Sequence, residues 1–230
     1  MDPVARAKQA AGRRAALFVE DGTTLGLGTG STVRPFLEAL GERIAKEGLR
    51  VRGVPTSEDT ARRAEQLGIP LASLDEVTAI DLTVDGADEI DGAFDMIKGG
   101  GGALLREKVV ARLTTREVIV ADASKVVTKL GTTFDLPIEV VPFALSYVQR
   151  EVERVGLVPK LRVRDGAPYR TDNGNLILDA KAPGGIADAA GLDRDLGSIT
   201  GVVDTGLFVG LAHVLVVGRE DGETEVREKG

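Results

Sequence analysis

Hydrophobic and polar positions follow two alternating patterns along the first 130 or so residues. Short apolar runs, typical of strands buried on both faces, lie between longer segments whose apolar residues recur every three or four positions. The short runs predict strands at residues 23–28, 49–54, 80–85 and 117–121. The longer segments predict helices at residues 3–21, 31–46, 58–67 and 103–114. Strands that alternate with helices indicate an α/β fold with a doubly wound, mostly parallel sheet.

The pattern changes after about residue 131 and predicts a second, smaller α+β domain. The strands expected there are residues 136–141, 161–164, 176–178 and 202–208, and the helices are 144–155 and 187–196. Turn-forming residues at 171–175 favour pairing of the two central strands. The apolar run 214–217 is expected to return to the first sheet. The predicted domains are therefore 1–131 plus about 207–230, and about 132–206.

Composition and charge exclude several classes of function. The 230 residues carry 29 basic and 36 acidic side chains, a net charge of −7, which disfavours nucleic acid or an anionic membrane as the main partner. Cysteine is absent, so disulfides and thiolate nucleophiles are excluded. The only histidine, His213, lies in an apolar run and is interpreted as a structural or surface residue. Neither a signal peptide nor an apolar stretch of about 20 residues is visible, which predicts a cytoplasmic protein.

A glycine-rich turn, residues 26–32, separates the first predicted strand from the second predicted helix. Ser31 or Thr32 is a candidate N-cap for that helix. Backbone N–H groups at a helix N-terminus, together with the hydroxyl groups, suit a phosphate, although a turn without a ligand is equally compatible. The spacing fits neither a Walker loop nor the G-x-G-x-x-G fingerprint, which disfavours a nucleotide-dependent oxidoreductase.

An acidic segment, residues 85–92, begins where the third predicted strand ends. Ligands of parallel α/β sheets lie outside the carboxyl ends of the strands, so Asp85 and Asp88 are placed to meet hydroxyl groups. Ala87 and Ile90 break the calcium-loop pattern, and no other metal signature is present. An acidic turn exposed to solvent is the alternative interpretation.

Lys98 precedes four consecutive glycines, residues 99–102. Glycines cost backbone entropy on folding, so such a run indicates close approach of a ligand or of another backbone segment. Lys125 follows the strand predicted at 117–121 and is expected at another strand's carboxyl end, although a surface lysine is the simpler interpretation of that residue alone.

Glu107 interrupts the apolar side of the helix predicted at residues 103–114, whereas Lys108 and Arg112 share a polar side. Its neighbours three and four positions away are Ala103, Leu104, Val110 and Ala111. Burial disfavours a charged carboxylate and raises its pKa, as a base working near neutral pH requires. The alternative is an ordinary glutamate near a helix N-terminus, where the dipole favours it.

Taken together, these segments resemble the A-type ribose-5-phosphate isomerase family. The matching segments follow the family's order over nearly the whole chain: residues 28–32, 56–57, 85–90, 98–108, 121–125, 171–175 and 201–208. Thr200 stands where the family pattern has a proline, and residues 181–193 match poorly.

The resemblance implies an aldose–ketose isomerase in which Glu107 accepts the proton and Asp85, Asp88 and Lys98 handle the sugar oxygens. It implies these substrate contacts: Thr29, Gly30, Ser31, Thr32, Asp85, Gly86, Ala87, Asp88, Lys98, Gly99, Gly100, Gly101 and Lys125. Lys8 resembles a basic residue that reaches the phosphate.

The resemblance also implies a place in the pentose phosphate pathway, no metal or other cofactor, and a homodimer or homotetramer assembled with help from the smaller domain. A non-catalytic sugar-phosphate sensor on a related scaffold is the rival hypothesis. Such regulators usually carry a DNA-binding module, for which this acidic chain has no residues left.

Overall fold

The computed structural model describes residues 2–230, which form two compact units. The first unit comprises the residues up to Ala87, Arg106–Val126 and Leu211–Gly230, and the second comprises Asp88–Leu105 and Val127–Gly210. The segment 88–105 therefore groups with the second unit. A role of the second unit in oligomerisation stays a prediction.

The described residues contain six α-helices and fifteen strands. The helices are α1 (Pro3–Ala16), α2 (Arg34–Glu47), α3 (Glu58–Gln66), α4 (Leu104–Leu113), α5 (Leu145–Arg154) and α6 (Ala189–Gly197). The strands are β1 (Thr24–Leu27), β2 (Arg52–Pro55), β3 (Ile80–Gly86), β4 (Glu89–Ile90), β5 (Met96–Ile97), β6 (Thr114–Asp122), β7 (Leu136–Val140), β8 (Val158–Leu161), β9 (Val163–Arg164), β10 (Ala167–Pro168), β11 (Leu176–Lys181), β12 (Val202–Thr205), β13 (Leu207–Phe208), β14 (Val214–Gly218) and β15 (Thr224–Glu228). No helix among residues 2–230 is both long and apolar enough to cross a membrane.

The first unit is built on a six-stranded sheet in the order β15-β14-β6-β3-β1-β2. All its neighbouring strands are parallel except the outermost pair, β14 and β15. This arrangement confirms the predicted α/β fold with a mostly parallel sheet. The run 214–217 does return to this sheet, because Val214 of β14 pairs with Val118 of β6.

Two helix boundaries in the first unit differ from the sequence prediction. Helix α1 ends at Ala16 instead of continuing to residue 21. Arg43 donates from Nη1 to the carbonyl groups of Ala16 and Val19 at 2.6 and 3.0 Å, which satisfies backbone acceptors where the helix stops. Helix α2 begins at Arg34 after Val33, so the prediction of Ser31 or Thr32 as its N-cap is wrong.

The core of the first unit lies between the sheet and its helices. Large side chains that are fully buried there include Leu25, Leu27, Phe36, Leu37 and Leu40. A glycine lets α1 approach α2 closely, because a Cβ on Gly12 would lie only 2.6 Å from the backbone nitrogen of Phe36 in α2. Close packing of this kind fixes the strands whose ends carry the polar residues described below.

The second unit contains a four-stranded antiparallel sheet in the order β12-β7-β11-β8 and a three-stranded sheet in the order β13-β5-β4. The predicted pairing of its central strands holds only in part. Leu161 of β8 pairs with Leu178 of β11, but Val163–Arg164 pairs with Ala167–Pro168 as a separate hairpin.

The strand predicted at 202–208 is two strands, β12 and β13, which belong to different sheets. Gly206 separates them and lies against the backbone of Lys98, whose N–H donates to the Gly206 carbonyl at 2.9 Å. A Cβ on Gly206 would lie 2.4 Å from the Lys98 carbonyl oxygen, so only glycine permits this change of sheet.

Candidate active site

The strand order of the first unit reverses at β1, which has β2 on one side and β3 on the other. In open α/β sheets, ligands bind outside the carboxyl ends of the strands at such a point. The turn after β1 carries Thr29, and β3 ends with Asp85 and Gly86. The structure therefore brings Thr29 and Asp85 together at this edge.

Asp85 is held by backbone N–H groups and is only 1% exposed. Its Oδ1 accepts hydrogen bonds from the N–H of Thr29 at 3.1 Å and from that of Gly86 at 2.7 Å. A Cβ on Gly28 would lie 2.2 Å from the same oxygen, so glycine is needed for this approach. The glycine of the first turn thus fixes the carboxylate of the third strand.

The hydroxyl group of Thr29 belongs to a buried cluster of hydroxyl groups. Its Oγ1 lies 2.8 Å from Thr56 Oγ1, 2.9 Å from Ser57 Oγ and 3.3 Å from Thr60 Oγ1. Thr60 in turn donates to the carbonyl of Gly28 at 2.9 Å. Sequence reasoning missed Thr60, although Ser57 caps α3 by accepting the Thr60 N–H, a spacing that was a usable signal.

Lys8 of α1 reaches the glycine-rich turn. Its Nζ donates to Ser31 Oγ at 3.0 Å, across 23 residues of sequence. Gly30, which has a φ of 111°, and Ser31 are exposed, and Thr32 is half-buried. A cation, hydroxyl groups and a glycine turn thus meet where a phosphate could bind.

Glu107 lies on α4 and is 5% exposed, as its apolar neighbours predicted. Val110, one turn further along, packs so tightly that a Cβ on Gly26 would lie 2.6 Å from Val110 Cγ1. This contact presses the face of α4 that carries Glu107 against β1. Lys108 is only 3% exposed, so its assignment to the polar side of the helix is wrong.

Lys125 lies in a short 3-10 turn directly after β6 and is half-buried. Asp122 begins this turn and accepts the Ser124 N–H at 3.1 Å.

His213 is exposed, and its Nδ1 accepts the N–H of Glu117 at 3.0 Å. The exposure and the contact both agree with the interpretation of His213 as a structural or surface residue.

The second unit holds the remaining candidate residues. Lys98 is 2% exposed, and its Nζ lies 5.4 Å from the ring centre of Phe208. Asp88 is half-buried, donates its N–H to Ile97 at 2.8 Å and accepts the Gly100 N–H on Oδ2 at 2.7 Å. The structure therefore joins Asp88 to the glycine run, and a Cβ on Gly100 would lie 2.6 Å from Asp88 Oδ1.

Residues 2–230 contain no group of three or more histidine, cysteine, aspartate or glutamate side chains that could hold a metal ion. The site groups found are hydroxyl groups, carboxylates, lysines and glycine backbone. The expectation of a reaction without a metal or other cofactor stays a prediction.

The fold and these groups define a class: α/β proteins with a polar candidate site at the carboxyl ends of parallel strands. The model of the family "Ribose 5-phosphate isomerase A (phosphoriboisomerase A)" matches residues 52–222. The chain belongs to this family.

Individual relatives agree with the family assignment. The chain is 48% identical to ribose-5-phosphate isomerase A of Bacillus mycoides (strain KBAB4), with 95% of this chain and 98% of the relative covered. The solved structure of ribose 5-phosphate isomerase A from Methanocaldococcus jannaschii has a TM-score of 0.92 at 39% identity and covers 96% of this chain and 98% of that one. A D-ribose-5-phosphate isomerase solved in complex with phospho-erythronic acid has a TM-score of 0.92 at 38% identity, with 96% and 97% covered. The rival hypothesis of a non-catalytic sensor is not favoured by these comparisons.

Proposed function

We propose that this chain interconverts D-ribose 5-phosphate and D-ribulose 5-phosphate through an enediolate, with Glu107 as the general base. The observation that carries the proposal is a carboxyl group only 5% exposed on an otherwise apolar helix face, in a member of this family. Burial disfavours the ionised carboxylate and so makes it a stronger base toward a carbon-bound proton.

The reaction needs one group that carries a proton between neighbouring carbons. In the open-chain aldose, Glu107 removes the proton from C2 and the electrons of the C1 carbonyl move onto O1, which gives the enediolate. The proton on O2 then passes to O1, which leaves the negative charge on O2. The same carboxyl group then returns its proton to C1, while O2 becomes the ketone oxygen. One hydrogen has moved from C2 to C1 and one from O2 to O1, so no external oxidant or reductant is required.

Asp85 or Asp88 assists ring opening in this proposal, and Lys98 stabilises the enediolate oxygen. A lysine buried to 2% exposure supports that role, because charge acts more strongly away from water. The Lys8–Ser31 pair and the turn Thr29–Thr32 bind the phosphate, and Gly99–Gly101 and Lys125 provide further contacts. The relative solved with phospho-erythronic acid supports a phosphorylated sugar as the ligand.

The test is an isomerase assay of the purified protein beside Glu107→Gln. A positioned base contributes roughly 10²–10⁴-fold, so turnover should fall by about that factor while ribose 5-phosphate still binds in a calorimetric titration. Glu117→Gln is the matched control, because Glu117 is a buried carboxyl group of the first unit outside the proposed site. Near-normal turnover of a folded Glu107→Gln variant would refute the assignment of the base.

We also propose that the chain is a cytoplasmic homodimer or homotetramer of the non-oxidative pentose phosphate pathway. Several apolar and aromatic residues near the start of α5 are exposed on the surface of the second unit. Val141, Phe143 and Tyr147 are 41%, 100% and 44% exposed. Exposed apolar and aromatic clusters favour protein–protein contact.

Sedimentation equilibrium tests the assembly. Phe143→Ser should shift the protein toward smaller species, whereas Leu17→Ser, at a first-unit residue that is 62% exposed, should not. A wild-type protein that sediments as a monomer at micromolar concentration contradicts this part of the proposal.

A further inference from the structure

The carbonyl groups of the glycine run are held by side chains of the second unit. Arg162 donates from Nη1 to the carbonyl oxygens of Gly99 and Gly100, at 2.8 and 3.3 Å. Tyr169 donates from its hydroxyl group to the carbonyl oxygen of Gly101 at 3.2 Å. A run of glycines has little conformational preference of its own, so these donors select its backbone conformation.

Contacts other than those to the glycines hold the Arg162 side chain in place. Its guanidinium forms a two-point ion pair with Asp179 of β11, through Nε to Oδ2 at 2.9 Å and through Nη2 to Oδ1. The Arg162 side chain is only 12% exposed, and its backbone N–H donates to the carbonyl of Ile177 at 2.8 Å. A planar guanidinium held at two points presents its remaining donors in a set direction.

One peptide unit connects this arginine to a candidate catalytic residue. The carbonyl of Gly99 and the N–H of Gly100 belong to the same planar trans peptide and point in opposite directions. Arg162 binds the carbonyl end, and Asp88 Oδ2 accepts the N–H end at 2.7 Å. The peptide is therefore held between a cation and a carboxylate, and its dipole is aligned with both charges.

We propose that Arg162 is a positioning residue for the isomerisation. It sets the orientation of the Gly99–Gly100 peptide, and through the Gly100 N–H it sets the position of the Asp88 carboxylate, while Asp179 holds Arg162 in place. The inference rests on the proposed function, in which Asp88 handles a sugar oxygen.

Arg162→Met tests the inference, because methionine keeps an unbranched chain and removes every donor. Loss of a supporting contact of this kind typically costs about 10–100-fold in rate, so kcat for ribose 5-phosphate should fall by that factor. KM should change by less than about threefold, since the proposed phosphate contacts of Lys8 and Thr29–Thr32 are not altered by the substitution. Arg50→Met is the matched control: it removes an exposed two-point pair with Asp21 in the first unit and should leave kcat unchanged.

A double-mutant cycle separates positioning through Asp88 from a merely structural role. In an Asp88→Ala background, Arg162→Met should cost less than about twofold in kcat, because the group it positions is gone. Equal effects in both backgrounds, or a lower melting temperature with unchanged kcat per folded molecule, overturn the inference. Arg162→Lys and Asp179→Asn, which should show smaller falls in kcat, give the same decision if Arg162→Met does not fold.

The two proposals fail in different ways. A wild-type protein without isomerase activity sinks the proposed function. The alternative result is an active wild type and an inactive Glu107→Gln together with an Arg162→Met variant that has wild-type kcat. That result supports the proposed function and refutes only the role of Arg162.

Discussion

Gly28→Ala is the substitution whose effect the structure specifies most closely. The new Cβ would lie 2.2 Å from Asp85 Oδ1, 2.4 Å from its Cγ and 2.6 Å from its Cα. One of these neighbours is backbone of the central strand β3, so rotating a side chain cannot relieve the overlap. Overpacking of this kind costs about 1–3 kcal/mol. For a chain of this size that corresponds to a fall in melting temperature of about 2–12 °C.

The same substitution should also reduce activity, because the atoms displaced are those of a proposed site carboxylate. A displacement of about 1 Å at a reacting centre can cost on the order of 10²-fold in kcat/KM. Circular dichroism melting and the isomerase assay measure the two effects on one preparation. Gly92→Ala is the control, since no atom lies within 4 Å of a Cβ there and φ is unstrained. A Gly28→Ala variant with the melting temperature and kcat/KM of the wild type would show that Gly28 and Asp85 are not packed as described.

Three further outcomes are expected. Hydrogen bonds from Arg50 lower the pKa of Asp21 from 3.8 to about 2, so their contribution to stability is present above pH 4 and is lost as the pH falls toward 2. The melting temperature of wild type should therefore exceed that of Arg50→Met at pH 5 and approach it at pH 2. A difference in melting temperature that persists at pH 2 contradicts the pairing. Dialysis against EDTA should leave the isomerase rate unchanged, and activity regained only with Mg²⁺ would refute a metal-free reaction. Thr171→Val removes a 2.9 Å hydrogen bond to Glu139, which is 0% exposed. The substitution should lower the free energy of unfolding, measured by urea titration, by about 1–3 kcal/mol. An unchanged unfolding midpoint would show that the hydrogen bond contributes nothing to stability.

Hydrophobic patterning predicted the central sheet well, because strands buried on both faces leave continuous apolar runs. It missed β15, a strand with one apolar residue, Val226, among threonine and charged side chains at the edge of the sheet. Charged edge strands resist pairing with other chains, and the same charges hide the strand from an apolar pattern. The division of residues 202–208 into two strands depends on the contact of Gly206 with Lys98, which is distant in sequence.

Within the candidate site, local patterns were informative where one segment carries the feature. Burial of Glu107 followed from neighbours on its own helix, whereas Lys108, which is 3% exposed, was assigned to the wrong side. The contact of Arg162 with Gly99 joins residues 63 positions apart, and no periodicity of either segment encodes it. The roles of the site residues stay predictions until they are tested by substitution.

The position of β14 between β6 and β15 has a consequence for biosynthesis. While the ribosome is still translating the residues before Leu211, β6 has a neighbour on one side only, and its other edge offers unpaired N–H and C=O groups. The sheet begun by the first 122 residues is completed at the free edge of β6 only after β14 has been synthesised. Strand β14 also packs against α1, where a Cβ on Gly218 would lie 1.9 Å from the Ala7 carbonyl oxygen. Such late pairing between distant segments slows folding and exposes the nascent chain to aggregation. A nascent chain halted before β14 is therefore a natural client for chaperones that shield open sheet edges.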